Sequence, residues 1–148
     1  MIAEDVHQAV MKHLQDNWTE CTVQYPAVPF SSTGLTEWIK PVVQAAGRPC
    51  REGEQDRLVA LVVYIMHATS DGNAYRVQQL ADALGAEFGQ KSIATSAGRT
   101  IRFKEGQFAY FPQPAVASAM SGPGGAGPGD VERDGGAVRF EGMVIEAT

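Results

Sequence analysis

The sequence predicts an α+β domain in which a single mixed β-sheet carries two amphipathic helices packed on one face. Three observations support this fold class. Two segments repeat apolar residues at helical spacing, one shorter segment is apolar on both faces, and the elements follow the order helix, strands, helix, strands. The chain has 148 residues, of which 44% are hydrophobic and 20% are charged. We therefore expect a single domain over residues 1–148.

The first element is predicted to be a helix over about residues 3–16. Its apolar stripe consists of residues four positions apart: Ile2, Val6, Val10 and Leu14. Glu4 and Asp5 lie in the first turn, where the positive end of the helix dipole favours carboxylates. A second helix is predicted to end near residue 87. Its apolar stripe is Val77, Leu80, Ala81, Leu84 and Phe88.

Strands are predicted between the two helices. A short strand at residues 22–25 precedes a longer one at 37–45, in which Pro41 indicates an edge position or a bulge. The strongest strand signal is residues 57–67, which are rich in valine, leucine and isoleucine. The polar residues 47–56 are expected to connect these two strands as a long hairpin.

The strand at residues 57–67 carries apolar side chains on both faces, so it needs cover on both sides. One face consists of Leu58, Val62, Tyr64 and Met66, and the other of Val59, Leu61, Val63 and Ile65. Two helices can cover one face, and we predict that another copy of the protein covers the other. We assign this oligomer interface to Trp38, Ile39, Val59, Leu61, Val63 and Ile65. Core packing is the alternative for Trp38.

The last third of the sequence contains strands and a segment of unusual composition. Residues 101–103 and 108–111 are predicted to form a tight hairpin around Glu105 and Gly106. Residues 120–136 are rich in glycine and proline and are expected to form a flexible loop within the domain. A final strand is predicted from residue 136 to 147, with a bulge at Gly142.

Composition and motif spacing favour some classes of function over others. The formal charge of −5, without a cluster of basic residues, argues against a free-standing nucleic-acid binder. Three scattered histidines and two cysteines do not show metal-ligand spacing, and we expect neither a metal nor a cofactor. No apolar run is long enough to span a bilayer. A thiol enzyme would pair Cys21 or Cys50 with a histidine such as His67, but nothing near them in the sequence supports it.

The order of hydrophobic motifs resembles the tail terminator proteins of long-tailed bacteriophages and related tail-like particles. The motifs are, in order, Val28-Pro29-Phe30 after the first helix, Trp38-Ile39, the apolar strand, the helix from Tyr75 to Leu84 with Phe88 at its end, Ile93, and Ile101-Arg102-Phe103. The resemblance covers roughly residues 1–111, and the strand near residues 138–147 is a candidate for the family's last strand. The glycine-rich insert at 120–136 departs from the compact family pattern.

The resemblance implies a tail-terminator-like fold and a structural role without catalytic residues. Members of the family assemble as a six-membered ring that caps the tail tube and offers a surface to the head or neck. The expected partners are other copies of the chain, a tail tube protein and a neck or head-completion protein, with DNA only passing through the lumen. The expected location is the head-proximal end of the virion tail, after assembly in the host cytoplasm. Alternatives are another head–tail connector, a head-closure or tail-tube protein, and, remotely, a small cytosolic thiol hydrolase.

Overall fold

Two helices and seven strands make up the computed structural model, which describes residues 2–31, 34–47, 57–68, 74–111 and 133–145. In chain order they are α1 (Ile2–Asn17), β1 (Thr22–Val23), β2 (Glu37–Gly47), β3 (Arg57–Ala68), α2 (Ala74–Phe88), β4 (Ser92–Ala94), β5 (Thr100–Phe103), β6 (Gln107–Phe111) and β7 (Arg133–Ile145). The α+β fold class is confirmed, and both helices lie within two residues of their predicted ends. Strand β4, which is three residues long, was not predicted.

The strands form one mixed sheet in the order β1-β2-β3-β7-β5-β4, with β6 also paired to β7. Strand β1 runs parallel to β2, and every other described pair is antiparallel. The predicted long hairpin is confirmed, because β2 and β3 pair continuously from Glu37↔His67 to Gly47↔Arg57. Pro41 pairs with Val63, while β1 contacts β2 only at Trp38 and Ile39. Among the described residues Pro41 thus lies at an open edge, where its missing N–H costs no ladder hydrogen bond.

Both helices pack against the same face of the sheet, which we call the inner face. Helix α2 contacts β7 and β3, whereas α1 contacts β2 and also β4, near opposite ends of the strand order. The sheet therefore curls around α1. The buried helix side chains are the predicted stripes: Val6, Val10 and Leu14 from α1, and Val77, Leu80, Ala81, Leu84 and Phe88 from α2.

Strands β5 and β6 are not the two arms of a hairpin, so that prediction was wrong. Both pair antiparallel with β7 along one of its edges. The register changes from Phe103↔Gly142 to Gln107↔Arg139, so residues 104–106 face only residues 140–141 across the ladder. This is a bulge with one extra residue, and the Lys104 amide donates to the Glu141 carbonyl oxygen at 2.7 Å within it. A bulge was predicted at Gly142 of β7. The extra residue lies instead in residues 104–106, directly after Phe103, which pairs with Gly142.

The predicted loop at residues 120–136 overlaps a strand at its end. Residues 133–136 belong to β7 and pair with β3, for example Gly136 with Ile65. Residues 120–132 lie outside the described part of the chain, as do residues 48–56 of the predicted connection between β2 and β3. The last strand therefore starts three residues earlier than predicted, because its pairing with β3 extends it through two glycines.

The bulge requires glycine at position 106. A Cβ atom added to Gly106 would lie 2.5 Å from Cε1 of Phe140 and 2.9 Å from Cγ1 of Val138, both of which are buried. We expect Gly106→Ala to lower the free energy of unfolding by about 1–3 kcal/mol through overpacking. Gly85→Ala in helix α2 is the matched control, because nothing lies within 4 Å of its added Cβ. Its higher helix propensity should raise stability by roughly 0.5–1 kcal/mol.

Urea denaturation of both glycine variants gives the comparison. A Gly106→Ala protein as stable as the Gly85→Ala protein would show that the bulge relaxes freely, contrary to the tight contact with Phe140.

Candidate interaction surface

The face of the sheet that points away from the helices, which we call the outer face, follows from the strand registers. Side chains alternate across a strand, so the residues between the buried ones of β3 point outward together with their cross-strand neighbours. These residues are Lys40, Val42 and Gln44 from β2, Leu58, Ala60, Val62 and Tyr64 from β3, Ala137, Arg139, Glu141 and Met143 from β7, and Arg102 from β5.

Five of the six predicted interface residues lie on the inner face, where the chain's own helices cover them, so these five are core residues. Helices α1 and α2 of the same chain bury these five in the main core: Ile39, Val59, Leu61, Val63 and Ile65. Their relative exposure is at most 3%, which leaves no surface for another molecule. A neighbouring copy therefore cannot contact these five side chains, whereas the outer face is open to one.

Trp38, the sixth predicted interface residue, points to the outer side but is buried by its own chain. It is 3% exposed and packs with Met66 and with the partly buried Phe30 and Leu35. The ring centroids of Phe30 and Trp38 are 5.8 Å apart. The segment before β2 thus covers one end of the outer face, and the core alternative for Trp38 is confirmed.

The opposite end of the outer face exposes large apolar side chains. Leu58 is 43% exposed and Met143 is 39% exposed, and the two are paired across β3 and β7. They line a groove of about 400 Å³ together with Gln44, Ala60, Lys104, Arg139 and Glu141. Val42, Val62 and Tyr64 continue this surface as half-buried residues. Exposed apolar side chains gathered in one concave patch are typical of an interaction site.

Basic side chains surround the apolar patch. Lys40, Arg102, Lys104 and Arg139 lie on or beside the outer face, and among the described residues of that face only Glu141 carries a carboxylate. Arg139 Nε is 3.4 Å from Glu141 Oε1 in an exposed pair. The described side chains of the outer face therefore carry a net positive charge, although the chain as a whole has a formal charge of −5.

On the inner side of the sheet, a cluster of three polar side chains joins β2, β3 and α2: Glu37, His67 and Arg76. Arg76 donates from Nε to Glu37 Oε2 at 2.8 Å and from Nη2 to Oε1 at 2.6 Å. These hydrogen bonds hold the pKa of Glu37 below its ordinary value. His67 Nε2 lies 3.7 Å from Glu37 Oε2, and its buried Nδ1 has no partner among the described residues. This group fixes the start of α2 against the central hairpin.

Cys21 does not have the properties of a catalytic nucleophile. Burial raises the pKa of its thiol to about 11, so the thiol stays protonated at neutral pH. Thiolate, rather than thiol, is the reactive form in cysteine enzymes. Cys50, the other cysteine considered for such chemistry, lies outside the described residues.

Within the described ranges, no group of three histidine, cysteine, aspartate or glutamate side chains is placed to hold a metal ion. Likewise, none of the helices in these ranges has the length and apolar character needed to cross a membrane.

Comparison with known proteins identifies the fold alone. No protein-family profile matches the sequence, and no curated protein matches it. One solved structure, of a protein without a descriptive name, superposes with a TM-score of 0.64 over 99% of this chain and 95% of the other at 12% sequence identity. The whole arrangement of helices and strands therefore occurs in another protein of similar length.

Proposed function

We propose that this chain is a tail terminator of a long-tailed phage or phage-like particle, acting by assembly into a ring rather than by catalysis. The observation that carries the proposal is the outer face, where Leu58 and Met143 stay exposed in a groove, whereas the inner-face side chains of β3 are buried under the helices. A self-contained fold with one apolar face left open fits a subunit of a larger assembly. The choice of family rests on the order of hydrophobic motifs from residue 28 to 103, which resembles that of tail terminator proteins.

The proposed mechanism is steric. One surface of a closed ring, most simply of six copies, binds the last ring of the tail tube. The other surface lacks the tube's own polymerising contact and binds a neck or head-completion protein instead. Head-to-tail contacts between copies close a ring without free ends, so growth of the tube stops when the ring is in place. DNA only passes through the lumen in this scheme.

Deletion of the gene in a phage that carries it tests the proposal. We expect overlong tails or headless tubes by electron microscopy, with normal length restored when the wild-type gene is supplied in trans. Complete particles with tails of normal length would contradict the assignment. A purified protein that polymerises into long tubes would instead favour the tail-tube alternative.

A further inference from the structure

The outer face has an electrostatic counterpart on the helix side of the same molecule. A groove of about 320 Å³ lies between α2 and the bulge that joins β5 to β6, and small residues line much of it: Ala81, Gly85, Gly89 and Gly106. Asp82 and Glu105 lie at this groove and are both exposed. No lysine or arginine is among its described lining residues. We call it the acidic groove.

The acidic groove and the outer face open on opposite sides of the sheet. Val138 and Phe108, which pack with the inner core, line the acidic groove. Leu58 and Met143, which point away from the helices, line the groove of the outer face. One molecule cannot bring its own two surfaces together, but two copies in the same orientation can.

We infer that the outer face of one copy binds the acidic groove of the next copy, in a head-to-tail contact. Lys104 and Arg102 of the outer face are exposed, and neither forms an ion pair with another described residue. Asp82 and Glu105 likewise form no ion pair with another described residue; Asp82 only accepts a hydrogen bond from Gln78. Complementary charge brings these surfaces together, and Leu58 and Met143 supply the apolar area.

Charge complementarity also selects the orientation. If two outer faces met each other, cations would oppose cations, and like charges across an interface weaken binding. A contact between unlike surfaces repeats in one direction and closes into a ring when the rotation permits. The inference rests on the proposed function only in requiring that copies of this chain associate.

Two reversed variants of the full chain test the contact. The first carries Arg102→Glu with Lys104→Glu, and the second carries Asp82→Lys with Glu105→Lys. We expect each alone to associate about tenfold or more weakly than wild type in low salt, measured by sedimentation and native mass spectrometry. An equal mixture should associate again, with the two variants alternating, and one chain with all four changes should regain self-association. Lys12→Glu, at an exposed site on α1 that lines neither groove, is the control.

Three outcomes overturn the inference. Association of the Asp82/Glu105 variant at wild-type strength would place the contact elsewhere, such as outer face against outer face. Wild-type protein that stays monomeric at every concentration would exclude a contact of this strength. Binding of a short DNA duplex by a monomer, lost in the Arg102/Lys104 variant, would assign the basic face to nucleic acid. None of these changes the outcome of the gene-deletion experiment, so the two proposals can fail separately.

Discussion

Phe88→Ala is expected to lower the free energy of unfolding by about 3–5 kcal/mol, the range for removing a buried phenylalanine ring. Phe88 is 0% exposed, and its ring lies 5.9 Å from that of Phe103 and 5.7 Å from that of Phe140. These rings come from α2, β5 and β7, so the substitution leaves a cavity where the helix docks on the centre of the sheet. His13 of α1 contacts the same ring at 5.1 Å, which extends the loss to the second helix.

Urea denaturation followed by circular dichroism measures the loss. The matched control is Tyr75→Ala, which removes an aromatic ring from the same helix at a position that is 76% exposed. It should change stability by no more than about 0.5 kcal/mol. Equal losses in the two variants would mean that the aromatic cluster does not hold α2 on the sheet.

Local periodicity accounts for the part of this fold that the sequence predicts. The apolar stripes of α1 and α2 and the hairpin of β2 with β3 depend on residues close in the chain, and the structure confirms them. The bulge at residues 104–106 depends on pairing with β7, about 35 residues further along the chain. A glycine between two short strand signals fits a hairpin turn as well as it fits a bulge. The local sequence therefore predicted a hairpin at Glu105 and Gly106.

The predicted interface residues were taken from the face that the helices cover because both faces of β3 are apolar. Alternation shows that such a strand has two apolar faces, but it does not show which one the helices cover. The last strand contained the missing signal. Arg139, Glu141 and Met143 alternate there with Val138, Phe140 and Val144, which marks the odd positions as the more polar face. Pairing with β3 places those positions beside Leu58 and Val62.

The second large effect is expected at the ion pair between α1 and the turn after β4. Asp5 is 7% exposed, its Oδ2 lies 3.1 Å from Arg99 Nη1, and its Oδ1 accepts from Ser96 Oγ at 3.4 Å. Burial by itself raises the pKa of Asp5. Hydrogen bonds from the side chains of Thr95 and Arg99 and from the Ala97 backbone, with the charge of Arg99, outweigh burial and hold the pKa below its ordinary value of 3.8.

Arg99→Ala should therefore cost about 2–3 kcal/mol at neutral pH, because it leaves a buried carboxylate without its cation. Asp5→Asn should cost less, since a neutral amide needs no counter-ion. Adding Arg99→Ala to Asp5→Asn should then cost less than Arg99→Ala costs alone. Additive losses in urea denaturation of the four proteins would show that the two side chains are not coupled.

The pH dependence of stability separates the charge of Asp5 from its packing. A carboxylate whose pKa is depressed in the folded state stabilises the fold fully above its ordinary value, and this contribution is lost as the pH falls through the folded value. The wild-type free energy of unfolding should thus approach that of Asp5→Asn as the pH falls below about 3.8. Asp16→Asn removes an exposed carboxylate from the same helix, and its curve should run parallel to wild type. If the Asp5→Asn curve also runs parallel, the ion pair with Arg99 contributes no net stability.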